Sequence, residues 1–227
     1  MADNYGKIFE EMGYGGAHLE ALKLIGGNKR VLDIGCSSGH LIKAIREKLG
    51  GVVDGIEVNA KKAKLAAKIA RKVYVGSVED PELIDQLSGT YDVLLFLDVL
   101  EHLNDPLSVL KKIRHLLVDD GCLIASVPNI ANWRMRLSLL MGRFEYQEAG
   151  LLDKSHLRFF TLKSLKEMFN EAGYRIVNLD FTLGGPPVVL GGVSRPNKGF
   201  LKMFFRVIFH FLPGLFANQF ILKAVKK

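Results

Sequence analysis

Apolar positions follow two alternating rhythms through the first two thirds of the chain. Short aliphatic and β-branched runs occupy Arg30–Ile34, Val52–Glu57, Val73–Val75, Tyr91–Leu97 and Cys122–Val127. Between them, apolar residues recur every three or four positions over His40–Leu49, Ala60–Lys72, Pro81–Leu87 and Pro106–Leu117. Near-continuous apolar runs predict strands covered on both faces, and the intervening stripes predict amphipathic helices. Strand and helix in strict alternation predict βαβ units with right-handed crossovers. The expected fold class is therefore α/β, a Rossmann-like doubly wound sheet with helices on both faces.

After Val127 the rhythm breaks. Residues 128–160 hold no clear strand; they contain a helix-like WRMRLSLLMGR and the irregular FEYQEAGLLDKSHLRFF. A helix resumes behind a Thr161 cap and stops at Gly173, and a strand follows over Tyr174–Phe181. Gly and Pro then dominate Gly184–Pro196, ahead of the apolar GFLKMFFRVIFHFLPGLF and a last strand-like QFILKAVKK. The chain reads as one domain over 1–227, with insertions at 128–160 and 182–217 where substrate contacts are expected. Within 199–216, Lys202, Arg206 and His210 recur every four residues on an otherwise apolar helix that Pro213 ends. Such a helix suits burial against the domain, a homodimer contact, a cap on an apolar pocket, or peripheral contact with a membrane or lipid substrate.

Composition narrows the classes further. The chain has 227 residues, 48% hydrophobic and 24% charged, which excludes disorder and low-complexity architectures. Its two Cys are too few for a disulfide framework; Cys36 and Cys122 lie in apolar runs and read as reduced, buried thiols of a cytoplasmic protein. No basic head precedes an apolar stretch at the start, and no run of about 18 uncharged apolar residues occurs, so neither a leader nor a spanning helix is expected. The net charge of +7 gathers on KKAKLAAKIARK, from Lys61. Without interleaved aromatics or glycines, that run reads as a solvated helix face, and nucleic acid is not the expected partner.

The strongest chemical signal is VLDIGCSSGHLIKAI, from Val31. A buried strand ends in Asp33, passes through Gly35, Cys36, Ser37 and Gly39, and opens a helix whose first N–H groups can face an anion. The next strand closes in Glu57, ahead of Val58, where an acid can accept both hydroxyls of a ribose. A dinucleotide fingerprint would space its glycines as G-x-G-x-x-G; here the pattern is D-x-G-x-S-x-G. An acid inside the strand repels a pyrophosphate and suits a cationic amino group. S-adenosylmethionine, which carries amino, carboxylate, ribose and adenine groups, fits better than NAD.

A second constellation, Asp98-Val-Leu-Glu101-His102, closes the fourth strand, and His156 lies in the insertion expected to fold over the same rim. Three readings stand. His102 or His156 acts as a general base, with Glu101 holding one ring N–H. Alternatively, Asp98, Glu101, His102 and His156 hold a divalent metal. In the third, the polar groups are caps and hydrogen bonds at a strand–helix junction. Arg134, Arg136, Arg143 and Arg158 are candidates for pairing with an anionic acceptor group, Arg158 most of all because its neighbours are apolar.

The segments VLDIGCSSG, GIEVN, VYVGSVED, YDVLLFLDVLEHLNDP, GCLIASVPN and HLRFFT together resemble the class I S-adenosylmethionine-dependent methyltransferases. The resemblance is closest to the branch holding ubiquinone-pathway O-methyltransferases and glycan-pathway-linked methyltransferases. It implies a seven-stranded sheet with an antiparallel edge pair. It places the methionine part at Asp33 and Gly35 with Leu97 and Asp98 bordering it, the ribose at Glu57, and the adenine edge at Ser77 and Val78. Ser37 stands where a Gly is usual, which is tolerable at negative φ; Ser77 replaces a frequent Asp. The rim is similar to the E-x-x-E-H of small-RNA 2′-O-methyltransferases, its first acid shortened to Asp98. The expected function is methyl transfer to an oxygen, less often a nitrogen, of a small-molecule or lipid- or glycan-linked acceptor. The alternatives are a non-catalytic nucleoside-binding module of this fold and an NAD-dependent oxidoreductase.

Overall fold

A computed structural model describes residues 16–87, 89–183 and 212–227. The expectations for the first fifteen residues and for Lys202, Arg206 and His210 lie outside these residues. The described elements run α1 (Gly16–Ile25), β1 (Arg30–Ile34), α2 (His40–Leu49), β2 (Val52–Glu57), α3 (Ala60–Ala66), β3 (Lys72–Val75), α4 (Pro81–Asp85) and β4 (Tyr91–Leu97). A 3₁₀ turn at Leu100–His102 leads to α5 (Pro106–Ile113), β5 (Leu117–Pro128), α6 (Trp133–Leu140), α7 (Leu162–Glu171), β6 (Tyr174–Leu183), α8 (Pro213–Phe216) and β7 (Ala217–Lys226).

Local chemistry sets several of these boundaries. Asn59 caps α3 by accepting from the N–H groups of Lys61 and Lys62. Asp80 and Asp105 cap α4 and α5, each followed by a proline in the first turn, where a missing N–H costs nothing. Thr161 and Ser164 form a reciprocal capping box at the start of α7. Several boundaries differ from the sequence pattern: α4 stops at Asp85, short of Leu87, and β5 begins at Leu117, five residues ahead of Cys122. The α3 helix stops at Ala66, short of Lys72, because the Arg71 N–H goes to the Val53 carbonyl and its guanidinium to buried Asp54. The α5 helix stops at Ile113, short of Leu117, because Leu117 already pairs with Tyr91 of β4. Helix α1 had no assignment from the sequence.

The seven strands form one sheet in the order β3-β2-β1-β4-β5-β7-β6. Strands β1 to β5 run parallel, and β7 lies antiparallel to β5 on one side and to edge strand β6 on the other. The sheet is therefore mostly parallel, with its antiparallel pair at one edge, as the resemblance implied. Strand residues alternate between two cores. Leu32, Ile34, Leu94 and Phe96 pack with α4, α5 and α7, and Val31, Val93, Leu95 and Leu97 pack with α1, α2 and α3. Strand order reverses between β1 and β4, which opens a crevice beyond their carboxyl ends. Both candidate constellations lie along that rim. No helix among the described residues is long and apolar enough to cross a membrane.

Candidate functional site

At the end of β1 the chain turns sharply into α2. The N–H groups of Gly35 and Cys36 both donate to the Ile56 carbonyl, at 2.8 and 3.1 Å, and pin the turn against β2. Gly35 has φ +74°, and a Cβ there would sit 2.7 Å from Val99 Cγ2. Gly39 has φ +84°, with Ala66 Cα 3.0 Å from where its Cβ would stand. Only glycine fits either position. Ser37 departs from its expected geometry: its φ is +49°, in the left-handed region, where a side chain costs about 1–2 kcal/mol. Its N–H donates to Glu57 Oε2 at 2.8 Å, which helps to hold it there.

Glu57 is buried, and its other oxygen accepts from the Asn59 N–H at 2.8 Å. Each oxygen keeps a lone pair for a further donor. Asp33 is 3% exposed and its Oδ2 has no partner. Burial, and then the charge of Glu57, push its carboxyl up to about 7. A buried, unpartnered acid of this kind is costly unless a donor or cation reaches it. Gly39 offers no side-chain cap to α2, so that helix presents first-turn N–H groups to the same crevice. Cys36 is buried beneath the loop, whereas Val58 is exposed beside it. On the neighbouring loop Val78 is buried, and the Ser77 hydroxyl accepts from the Glu79 N–H at 3.1 Å.

Asp98 also has a left-handed φ, +56°, so no helical turn starts at it; the 3₁₀ turn begins at Leu100. This separates it from the residues the sequence grouped it with. Its Oδ1 accepts from the Ser126 hydroxyl at 2.7 Å and from the Gln219 amide. Ser126 and Gln219 lie on β5 and β7, and neither carried a signal in the sequence. Leu97, before it, is buried.

Glu101, His102 and His156 do converge. A potential ligand atom from each lies within 4.8 Å of the other two, and the imidazoles meet edge to face at 4.9 Å. His102 Nδ1 is 3.1 Å from the Ser155 carbonyl, and His156 Nδ1 is 3.1 Å from that of Leu151. A carbonyl only accepts, so both Nδ1 atoms carry the proton and both Nε2 lone pairs are bare. The expected Glu101 bond to a ring N–H is absent, because backbone carbonyls hold those protons. Glu101 is 1% exposed, and neither carboxylate oxygen has a partner. Burial, with an addition from Asp98, pushes its carboxyl up to about 8.

The insertion reaches the rim through backbone bonds that sequence spacing does not reveal. The N–H groups of Leu157 and Arg158 donate to the Glu101 carbonyl at 2.8 and 3.0 Å. Arg158 is exposed, and its guanidinium binds the Asn104 carbonyl rather than an acid. Arg136 likewise donates to the Ala131 carbonyl, and the Arg134 guanidinium lies 5.5 Å from the Trp133 ring centre.

The chain is similar to known proteins in sequence and in fold. A family model described as a methyltransferase domain matches residues 9–179. A ubiquinone biosynthesis O-methyltransferase of Idiomarina loihiensis is 26% identical over 179 residues, covering 76% of this chain and 68% of that protein. The chain spans about half the length of the other curated relatives it matches. Among solved structures, a SAM-dependent methyltransferase from Archaeoglobus fulgidus has a TM-score of 0.64 at 19% identity, over 98% of this chain and 100% of that one. A magnesium protoporphyrin IX methyltransferase from Synechocystis with bound SAH has a TM-score of 0.56 at 18% identity, over 100% of this chain and 82% of that one. At such identities these structures establish the fold alone.

Proposed function

Because the chain belongs to the methyltransferase-domain family, we propose that it transfers the methyl group of S-adenosylmethionine to an oxygen of a small or lipid-linked acceptor. The observation that carries the reading is the pair of imidazoles with bare Nε2 atoms beside a buried, unpartnered Glu101. The chain's residues fit the cofactor. The orphaned Asp33 Oδ2 suits its ammonium, the uncapped start of α2 its carboxylate, and Glu57 its ribose hydroxyls. Ser77 and Val78 border the adenine, and Leu97 and Asp98 the methionine part. An NAD pyrophosphate would instead meet the Asp33 acid.

The cofactor, when bound, supplies a methyl on a sulfonium that an in-line nucleophile displaces. The chain then has to align the acceptor, exclude water and remove one proton. His102 and His156 each hold a bare Nε2 that can take it. The carbonyls of Ser155 and Leu151 fix the ring orientations and stabilise the imidazolium that forms. Burial pushes the Glu101 carboxyl up to about 8, and neither of its oxygens is bonded to a ring N–H. Cys36 and Cys122 are free and buried, which suits a reducing cytoplasm.

The three converging donor atoms favour a second reading, in which Glu101, His102 and His156 hold a divalent cation. Such an ion would offset the cost of the Glu101 charge and acidify the acceptor hydroxyl. One experiment separates the readings: S-adenosylhomocysteine formation with phenols and alcohols as acceptors, with and without EDTA. Under the base reading EDTA has no effect, and His102→Ala or His156→Ala slows turnover by ~10²–10⁴. Under the cation reading EDTA abolishes turnover, and Mg²⁺ or Mn²⁺ restores it. Full activity in both alanine variants would leave the cluster structural.

A further inference from the structure

One run of hydrogen bonds joins the loop after β3 to the segment carrying His156. The Ser77 hydroxyl accepts from the Glu79 N–H at 3.1 Å. The Glu79 carboxylate accepts from Asn104 Nδ2 at 3.0 Å and from the Asp105 N–H at 2.9 Å. The Asn104 carbonyl accepts from Arg158 Nε at 3.0 Å, and the Glu101 carbonyl accepts from the Leu157 and Arg158 N–H groups. Two bonds to one carboxylate restrain both the position and the rotation of the 103–105 turn. Partial burial raises the Glu79 carboxyl, but the donors from Asp105 and Asn104 outweigh it and hold the group below its ordinary value. It is ionised at neutral pH and so is a strong acceptor.

We infer that Glu79 is a positioning residue that couples the base side of the cofactor site to His156 through Asn104 and Arg158. The inference rests on the reading that Ser77 and Val78 border the adenine. Filling that subsite fixes Ser77, which fixes Glu79 through its N–H. The 103–105 turn and the Arg158 clamp then hold His156 beside Glu101 and His102. None of the linking groups touches the reacting atoms.

Adenosine tests the coupling, because it fills the base and ribose positions and has no amino-acid part to approach Glu101, His102 and His156. The readout is the imidazole carbon–proton NMR signals of the whole chain, with His156 assigned through His156→Gln. Saturating adenosine should shift the His156 signal in the wild type. Glu79→Gln and Arg158→Ala should each cut that shift at least about threefold, while adenosine affinity by calorimetry stays within about threefold. Arg158→Lys, which keeps one donor, should restore part of the response. An equal His156 shift in wild type and both variants overturns the inference, as does no shift in a wild type saturated with adenosine. If neither adenosine nor S-adenosylhomocysteine binds the wild type, the cofactor reading has failed, and the inference falls with it.

Discussion

Asp33 shows at the scale of one residue how a buried acid stores free energy against the fold. Its carboxyl rises from 3.8 to about 7 on folding, so the folded chain binds that proton more tightly than the unfolded chain does. Its contribution therefore turns unfavourable as pH climbs above 3.8, and reaches its full cost above about 7. Asp33→Asn removes the buried charge at nearly constant volume. At pH 8 it should stabilise the ligand-free protein by about 2–4 kcal/mol and weaken S-adenosylhomocysteine binding by about 1.5–3 kcal/mol. The stability gain should vanish near pH 4. Urea melts across pH together with calorimetry check both parts; a variant no more stable at pH 8 would show that the acid is solvated. That Asp33 is an acid inside a buried strand was legible from the sequence. The left-handed φ of Ser37 was not, because a serine says nothing of backbone sign until the loop is pinned to Ile56 and Glu57.

At the scale of the element, the sheet edge that shapes the rim depends on a residue with no catalytic part. Asn129, fully buried after β5, donates from Nδ2 to the Gly214 carbonyl at 3.1 Å and to that of Ala217 at 2.8 Å. Its Oδ1 accepts from the Ala131 N–H at 3.0 Å. It thereby fixes the turn into β7, two residues before Gln219, which holds Asp98. Asn129→Ala leaves buried carbonyls and an N–H unpaired and should cost about 2–4 kcal/mol in a urea melt. A loss under about 0.5 kcal/mol would mean that water replaces the amide. Asn129 closes one of the segments that carry the resemblance, but its carbonyl partners lie some 85 positions on. Helix boundaries read well wherever a cap was local, as at Asn59, Asp80, Asp105 and Thr161. They failed at Ala66 and Ile113, where pairing with β2 and β4 ended the helix early.

For the whole molecule, the reversal of strand order puts the ends of β1, β2 and β4 on one rim, and three acids come with them. A ligand that binds only the folded chain raises its stability with concentration. S-adenosylhomocysteine at one hundred times its dissociation constant should add about 2.7 kcal/mol. For a chain of this size, that is a rise of roughly 5–10 °C in Tm. NAD at the same concentration should leave the melt unchanged. A rise with NAD alone would contradict the placement of Asp33 and Glu57 around a cationic amino acid and a ribose.

What the sequence determined by itself is whatever depends on local periodicity and near neighbours. Strand–helix alternation, the glycine turn after β1, the acid closing β2 and the helix caps all express steric and hydrogen-bonding preferences that act within a few residues. The tertiary structure decided what needs distant segments to meet. It gave Asp98 itself a left-handed φ, left it outside the cluster of Glu101, His102 and His156, and tied it to Ser126 and Gln219. It gave the histidine N–H groups to carbonyls of the insertion instead of to Glu101. It delivered His156 through backbone bonds to the Glu101 carbonyl. Backbone N–H and carbonyl groups are the same in every residue but proline, which lacks the N–H. Which of them meet across the fold is therefore invisible in side-chain identity and is settled only when the sheet closes.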